Sequence, residues 1–518
     1  MKKLFTLLMA ATLSLGSYAK DYKDNLVVSI NNTATPAQKS TISVTAQENG
    51  KYTFLLKNFS FSGFSIGDIN LTDVEGNTVN GTTYMHTAQP ISVKIYGASM
   101  SLPIILRAEM TDSQLKADMD IAGMPDMAIH VTFAGGGDLG GYQIPNSGFE
   151  DYYTYTNHNN IQEPLYWHSF ASAGGSYTEG IRASIAKIKD TKHTESSTEI
   201  RPGSTGKSSL KVTSTTVPIL NIPANGTITT GRMNAGSASP DNTDNHAQID
   251  MSSTDKDGHR DPYYVVLNGQ PDSLSVWVAF KQGTPNSTYP YATVSAITTN
   301  GTYYQDPENK TYTNKRAVAK NDTIATTFTG NTLTWKEVKI PFTEVNKGIT
   351  PKTILVTMST NAAPGKGSGS DELYIDDLSL IYNMPSVSIN FKGKKLTFDK
   401  DSTATEDATG TVSTDDFSVE TEGALDGHVF KYMSTTKDSE GKDVPVATII
   451  VTSGDYKKFS TYTIKLPGAT TTAIRSIATD DNNSPAELYN LAGQRINNAQ
   501  PGQVVIVKKG GKAVKVLK

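Results

Sequence analysis

The sequence predicts an all-β chain of several domains, and three observations carry the prediction. Apolar residues recur with period two, as in Leu26, Val28, Ile30 and again in Ile354, Val356, Met358, which gives each strand one core-facing side. Beyond the first twenty residues almost no apolar run has helical period and length. Turn pairs such as Asn49-Gly50 and Asn80-Gly81 separate the alternating stretches. With 518 residues the chain is long enough for three or four domains, each burying its own core without staples. There is no cysteine, which excludes disulfides, thiol nucleophiles and thiolate-bound metals. Lys and Arg total 47 against 51 Asp and Glu, a net charge of −4 that argues against a nucleic-acid partner.

The elements follow in order. Residues 1–19 read as a signal peptide: Lys2 and Lys3, an apolar run from Leu4 to Leu15, then small residues Ser17 and Ala19 around Tyr18. An extracytoplasmic location follows, in the periplasm, at the cell surface or secreted. No later stretch approaches the ~20 apolar residues of a transmembrane segment. Residues 24–134 read as a small barrel. A hairpin pairs 41–47 with 52–56 about Asn49-Gly50, and strands at 66–71, 91–95, 104–109 and 128–133 continue it past turns at Glu75-Gly76-Asn77 and Asn80-Gly81. Closure would remove the exposed edges of so many short strands.

The run Gly50-Lys51-Tyr52-Thr53-Phe54-Leu55-Leu56-Lys57-Asn58-Phe59, the later Gly67-Asp68-Ile69 and the closing His130-Val131-Thr132-Phe133 resemble the calycin-like β-barrel domain of secreted Bacteroidetes proteins. That resemblance implies at most an apolar ligand inside the barrel. A barrel of this strand number can equally be filled by its own side chains.

Residues 135–141, Gly-Gly-Gly-Asp-Leu-Gly-Gly, read as a glycine-rich linker. Residues 142–383 read as a large β-sandwich with long polar insertions. In the strand Leu274-Ser275-Val276-Trp277-Val278-Ala279-Phe280 the even-numbered residues point to a core, and Trp277 shares the other face with Ser275 and Ala279. A large aromatic between two small residues is either a sugar-stacking platform or cover for a neighbouring loop. The opening Asn146-Ser147-Gly148-Phe149-Glu150, Trp167, the segment 271–278 and the closing Leu373-Tyr374-Ile375-Asp376-Asp377-Leu378 resemble a carbohydrate metabolism domain family of Bacteroidetes, a jelly roll similar to galactose-binding-like carbohydrate-binding modules. The resemblance implies glycan binding, with Trp277, Trp167 and Tyr166 as stacking groups, and a structural calcium at Glu150 with Asp376 or Asp377. Calcium there would need several backbone carbonyls besides these carboxylates.

Residues 385–470 read as a small β-sandwich. Residues 484–518 end in a hairpin about Lys509-Gly510-Gly511-Lys512 and resemble the C-terminal β segment that serves as a sorting signal in fuller versions. The fold class is therefore all-β: a small calycin-like barrel, a large jelly-roll β-sandwich, a small C-terminal β domain and a terminal hairpin. The function predicted is non-catalytic capture of a glycan or polysaccharide by an exported protein. Two alternatives stay open. One is a secreted glycoside hydrolase or other polysaccharide-active enzyme using a carboxylate pair drawn from different strands, since Glu372 and Asp376, four apart on one strand, are separated by about 13 Å. The other is a cell-surface adhesion or assembly protein whose partners are other surface proteins. No nucleotide-binding motif is present and no catalytic residue is nominated.

Overall fold

The computed structural model describes residues 19–471, apart from 48, 62, 96–97, 124–126 and 218–220, and beyond 471 the strands Glu487–Tyr489, Arg495–Ile496, Val504–Lys509 and Lys512–Leu517. The segment read from sequence as a signal peptide lies, before Ala19, outside the described residues. The chain forms two compact units. One holds the residues up to Ser386 with Thr421–His428 and Val451–Ser460, and the other holds Val387–Glu420, Val429–Ile450 and the residues from Thr461 onward.

Period-two alternation becomes a closed barrel at the start of the first unit. Strands Ala19–Ile30, Gln38–Ala46, Tyr52–Phe61, Phe64–Val79, Thr82–Ile95, Ala98–Met110, Leu115–Ile121 and Ile129–Phe133 are sequential antiparallel neighbours, and the last pairs with the first, Val131 opposite Val28. Leu26, Ile42, Phe54, Ile69, Leu71, Met85, Leu106 and Phe133 are each fully buried in one continuous cluster, so side chains fill the interior. At the Asn80-Gly81 turn both residues have positive φ, 48° and 82°, as a type I′ hairpin requires. The turn expected at Glu75-Gly76-Asn77 is absent. These residues continue the strand Phe64–Val79, with Gly76 opposite Met85, and a Cβ on Gly76 would run into the ring of Tyr52. Glycine is there to let an aromatic lie flat on the backbone.

The glycine-rich segment 135–141 is pinned in place. Gly140 N–H donates to Glu109 Oε1 at 3.0 Å, and Asn268 joins barrel and sandwich by accepting from Asn77 Nδ2 and donating to Gly140 O, both at 2.8 Å. Beside it, Tyr142 is buried with its hydroxyl 3.3 Å from His86 Nδ1. Tyr456 packs on His428 at 4.4 Å between ring centroids and on His86 at 4.7 Å.

The sandwich has two antiparallel sheets. Five strands run in the spatial order Thr194–Ser197, Ser209–Thr213, Glu372–Ile381, Ser273–Lys281, Lys336–Pro341. The six-stranded sheet runs Thr227–Thr229, Thr353–Ser359, Ala292–Thr299, Lys315–Ile324, Thr343–Glu344, with Val265–Val266 also on Thr353–Ser359. Leu274, Val276, Val278 and Phe280 are all fully buried, as their alternation predicts, and so are Val294, Ala296, Ile354, Val356 and Met358 of the other sheet. In the second unit, a three-stranded sheet centred on Ser386–Phe391 and a four-stranded sheet centred on Phe459–Lys465 and Asp443–Ser453 bury Phe391 against Phe417, together with Ile449, Ile450 and Ile464. The terminal strands Val504–Lys509 and Lys512–Leu517 pair as the Lys509-to-Lys512 hairpin predicts.

Burial, with His428 adding to it, pushes the His86 imidazole down from 6.5 to about 4. A depressed folded-state value means stability that is present above pH 6.5 and lost as the pH falls toward 4, on the order of 3 kcal/mol for one such group. Urea unfolding at pH 7.5 and 4.5 should therefore show a smaller loss on acidification in His86→Gln than in the native chain. Equal losses in the two proteins would show that His86 does not carry the acid sensitivity.

Candidate functional site

The six-stranded sheet turns a hydroxyl-rich face away from the core. Thr293 and Ser295 alternate with buried Val294 and Ala296, and across the ladder they stand opposite Ser359 and Thr357. Lys320 lies opposite Ser295 on the next strand. Over this face lie the three-stranded sheet Arg232–Ala235, Asn245–Gln248, Gln305–Asp306, the hairpin Thr215–Val217 with Ile222–Ala224, and the helix Gly180–Ala186. Cover and floor enclose a cleft of about 310 Å³.

Its walls are apolar, with Phe170, Tyr177, Ile188, Val217, Met233 and Pro307, while Thr293, Ser295, Thr357 and Ser359 form the floor. Three charged groups enter it. Asp322 accepts from Thr293 Oγ1 at 2.6 Å and pairs with Lys320 Nζ at 3.0 Å. Asp306, from the cover, accepts from Ser295 Oγ at 3.1 Å, and burial raises its carboxyl above the usual range while Lys320 opposes the rise. In the wall, Asn225 donates to Asn361 O and Ala363 O, and its buried Oδ1 has no partner. Such an arrangement presents acceptors and hydroxyls on one side of a ligand and packs C–H surface on the other.

The residues nominated from sequence lie elsewhere. Trp167 is 1% exposed, its ring 5.1 Å from Phe149 and its Nε1–H donating to Pro145 O, so it is a core residue with no face for a sugar. Tyr166 is half-buried with φ 69°, its N–H held by Asp261 Oδ2 at 2.8 Å. Trp277 is half-buried on the outer face of the five-stranded sheet, and the Arg201 guanidinium lies over its ring at 5.2 Å. That stack favours the reading of Trp277 as cover for the loop that carries Arg201.

Arg201 also explains the acidic residues. Its Nε donates to Asp377 Oδ2 at 2.5 Å, and its backbone N–H donates to Asp376 Oδ2 at 2.9 Å. A bulge in the strand Glu372–Ile381 puts Trp277 opposite Asp376 and Ser275 opposite Ser379, with Asp377 at φ 42°. Asp376 is wholly buried and its Oδ1 has no partner. Burial, above all, pushes its carboxyl up to about 6. Gly148 separates Glu150 from Asp377: a Cβ there would stand 3.4 Å from Asp377 Oδ1 and 4.0 Å from Glu150 Cγ. Opening and closing segments are thus neighbours, with Leu378 N–H donating to Ser147 O at 3.0 Å. Glu150 Oε2 accepts the Lys207 N–H at 2.9 Å. Among the described residues no group of three or more His, Asp or Glu side chains could hold a metal ion. An orphaned, buried carboxylate oxygen beside a second acid fits an oxygen-seeking cation completed by backbone carbonyls.

Sequence reasoning missed the cleft. The signal was present in Ala292-Thr293-Val294-Ser295-Ala296 and Thr357-Met358-Ser359, where hydroxyls alternate with core residues, but Asp306 and the apolar cover come from insertions without periodicity.

Comparison with curated proteins gives no match. Among solved structures, a fructofuranosidase from Schwanniomyces occidentalis complexed with fructose is 8% identical over 70% of this chain and 79% of that one, at a TM-score of 0.11, a likeness too slight to carry an argument. Residues 19–136 match the family model described as the calycin-like β-barrel domain, in agreement with the closed antiparallel barrel and its sequential strand order. The N-terminal part of the chain is a calycin-like β-barrel domain.

Proposed function

We propose that the protein is an exported glycan-binding protein and that the cleft over the six-stranded sheet is where a saccharide sits. The observation that carries this reading is the pairing of a Thr/Ser floor with an apolar wall containing Phe170 and Tyr177. Saccharide hydroxyls replace water on Thr357, Ser359, Asp306 and the unpartnered Asn225 Oδ1, while ring C–H surface packs on the aromatic wall. A second reading, glycoside hydrolysis, is favoured by Asp306 and Asp322 entering one cleft from cover and floor, with burial raising Asp306 toward the protonated form a general acid needs.

A glycan array and a reducing-sugar assay on the same polysaccharides separate the two. Binding without release of sugar, weakened about tenfold or more by Phe170→Ala, is the expected result. Release that is lost in Asp306→Asn would establish the hydrolase instead. Silence in both assays would remove the glycan reading and leave the adhesion class.

Calcium at Asp376 is the second part of the proposal. The raised carboxyl alone favours the folded state below pH 3.8 and gives up that contribution as the pH rises through about 6, so at neutral pH a cation besides Arg201, whose side chain is engaged by Asp377, would stabilise the buried charge. Glu150 would share the ion, whose chemistry there is structural, tying the opening segment to the closing strand. At pH 7 calcium should raise the melting temperature by about 3 °C or more over the chelated protein, and Asp376→Asn should abolish the response. Equal melting with calcium and with chelator, and no metal by elemental analysis, would reject the site.

A further inference from the structure

The floor of the cleft is graded from open to closed. Along the strand Ala292–Thr299, the fully buried Ala292, Val294 and Ala296 point into the core, so Thr293, Ser295 and Ile297 take the other face. Tyr291, one residue before the strand, falls on the parity of that second row. It is 39% exposed, Thr293 is half-buried, Ser295 is 4% exposed and Ile297 3%. At the buried end Ile297 stands across the ladder from Leu355, and both belong to one buried cluster with Met233, Ile249 and Tyr304 of the cover. The cleft is blind there. Asn225 closes one side by donating to Asn361 O at 3.2 Å and Ala363 O at 3.1 Å. On the other side Lys320 and Asp322 are exposed, and with Tyr291 they bound the mouth.

The backbone under Tyr291 is fixed to the rim. Ala362 N–H donates to Tyr291 O at 2.9 Å, and Asn361 Nδ2 donates to Tyr289 O at 2.9 Å. Both donors come from residues that line the cleft. Asn286 Oδ1 accepts the Tyr289 N–H at 3.1 Å, and Pro290 restricts the residue between the two tyrosines. An aromatic ring on a fixed backbone stacks on a ligand at little cost in entropy. The Tyr291 Cα lies about 7 Å along the chain from that of Thr293, so a ring seated on Thr293 leaves Tyr291 to the next ring outward. At about 310 Å³ the cleft is at the small end of ligand pockets, which suits the end of a chain and not its length.

We propose that the cleft takes the terminal unit of a saccharide chain, end first, and that the exposed Tyr291 ring is the platform for the unit next to it. This rests on the saccharide reading of the cleft and adds the class of ligand, chain ends in preference to chain interiors. Ile297 and Leu355 stop the chain, and Tyr291 carries its first ring outside.

The test titrates the intact chain with free cello-, malto-, xylo- and manno-oligosaccharides of one, two, three and six units, with the parent polysaccharides as competitors. In whichever series binds, affinity should rise about tenfold or more from one unit to two and less than about threefold from three to six. The polysaccharide should compete in proportion to its chain ends and not its mass. Tyr291→Ala should keep the native melting temperature and the affinity for a single unit but lose the gain from the second, and Tyr291→Phe should retain that gain. Affinity that climbs steadily to six units, or a polysaccharide that competes by mass, would overturn the blind end. A second-unit gain unchanged in Tyr291→Ala would overturn the platform. Silence in every series and on the glycan array would instead reject the saccharide reading itself, and this proposal with it.

Discussion

Arg107 is the charge on which the joining of the barrel to the rest of the first unit depends. It sits on the outer face of the strand Ala98–Met110, between inward-facing Leu106 and Ala108, and is only 4% exposed because later parts of the same unit cover it. A cation taken out of water must be paired and hydrogen-bonded, or it costs several kcal/mol. Here Asp120 stands 3.2 Å from one guanidinium nitrogen, and the other donates to the carbonyl of Tyr456 at 2.6 Å. Asp120 in turn holds the His130 ring at 2.8 Å, which raises the imidazole, while burial raises Asp118 directly across the ladder from Arg107. The outer face of the barrel is thus written for a second protein surface from the same chain. The neutral rings of His86, Tyr142 and Tyr456 complete the join without adding charge.

Strands were legible because their period is local, and the Asn-Gly turns because φ > 0 is a property of two residues. Gly76 was misread for the same reason. Its role is set by the Tyr52 ring across the sheet, and a glycine in a strand and a glycine in a turn look alike in sequence. The glycines of 135–141 read as freedom, yet Gly135, Gly136, Gly137, Gly140 and Gly141 all take positive φ in a segment whose Leu139 and Tyr142 are buried. They supply conformations other residues resist. The small third domain read as one piece from 385 to 470, whereas Thr421–His428 and Val451–Ser460 group with the first unit. Gln270 and Asp272 receive that segment through Asp426 Oδ2 and Leu425 N–H, contacts that periodicity cannot reveal.

The same limit applies to the aromatic residues. Both tryptophans nominated for stacking were chosen by type and local neighbours, but exposure is decided by what the fold lays over them. Trp167 lies under the opening segment of the sandwich, and Trp277 lies beneath Arg201. Juxtaposition of Glu150 with Asp377 was legible, because the first and last segments of such a sandwich are neighbours by topology. The bulge that buries Asp376 beside a half-buried Asp377 was not, since nothing in Ile375-Asp376-Asp377-Leu378 marks the extra residue.

The hydroxyl face of the six-stranded sheet explains why the cover over it leaves a cleft. Some of its groups satisfy one another: Thr227 donates to Ser359 at 3.1 Å, and Thr229 and Thr357 lie 3.2 Å apart. Thr293 and Ser295 turn to Asp322 and Asp306, and the second Asp322 oxygen pairs with Lys320, so the floor is polar and largely satisfied within itself. The cover brings an apolar patch of Val217, Ile222, Met233, Ala235 and Pro307, which has no side-chain donor to offer, beside the polar Asn245, His246 and Asp306. Pressing that patch onto the floor would strand polar groups at about 1–3 kcal/mol each, which offsets much of what burying it would return. An apolar patch of the cover set over a hydroxyl-rich floor therefore favours a cleft that stays open between them. A ring that carries hydroxyls on its edge and C–H groups on its face suits both surfaces, which is the chemistry on which the proposed saccharide reading rests.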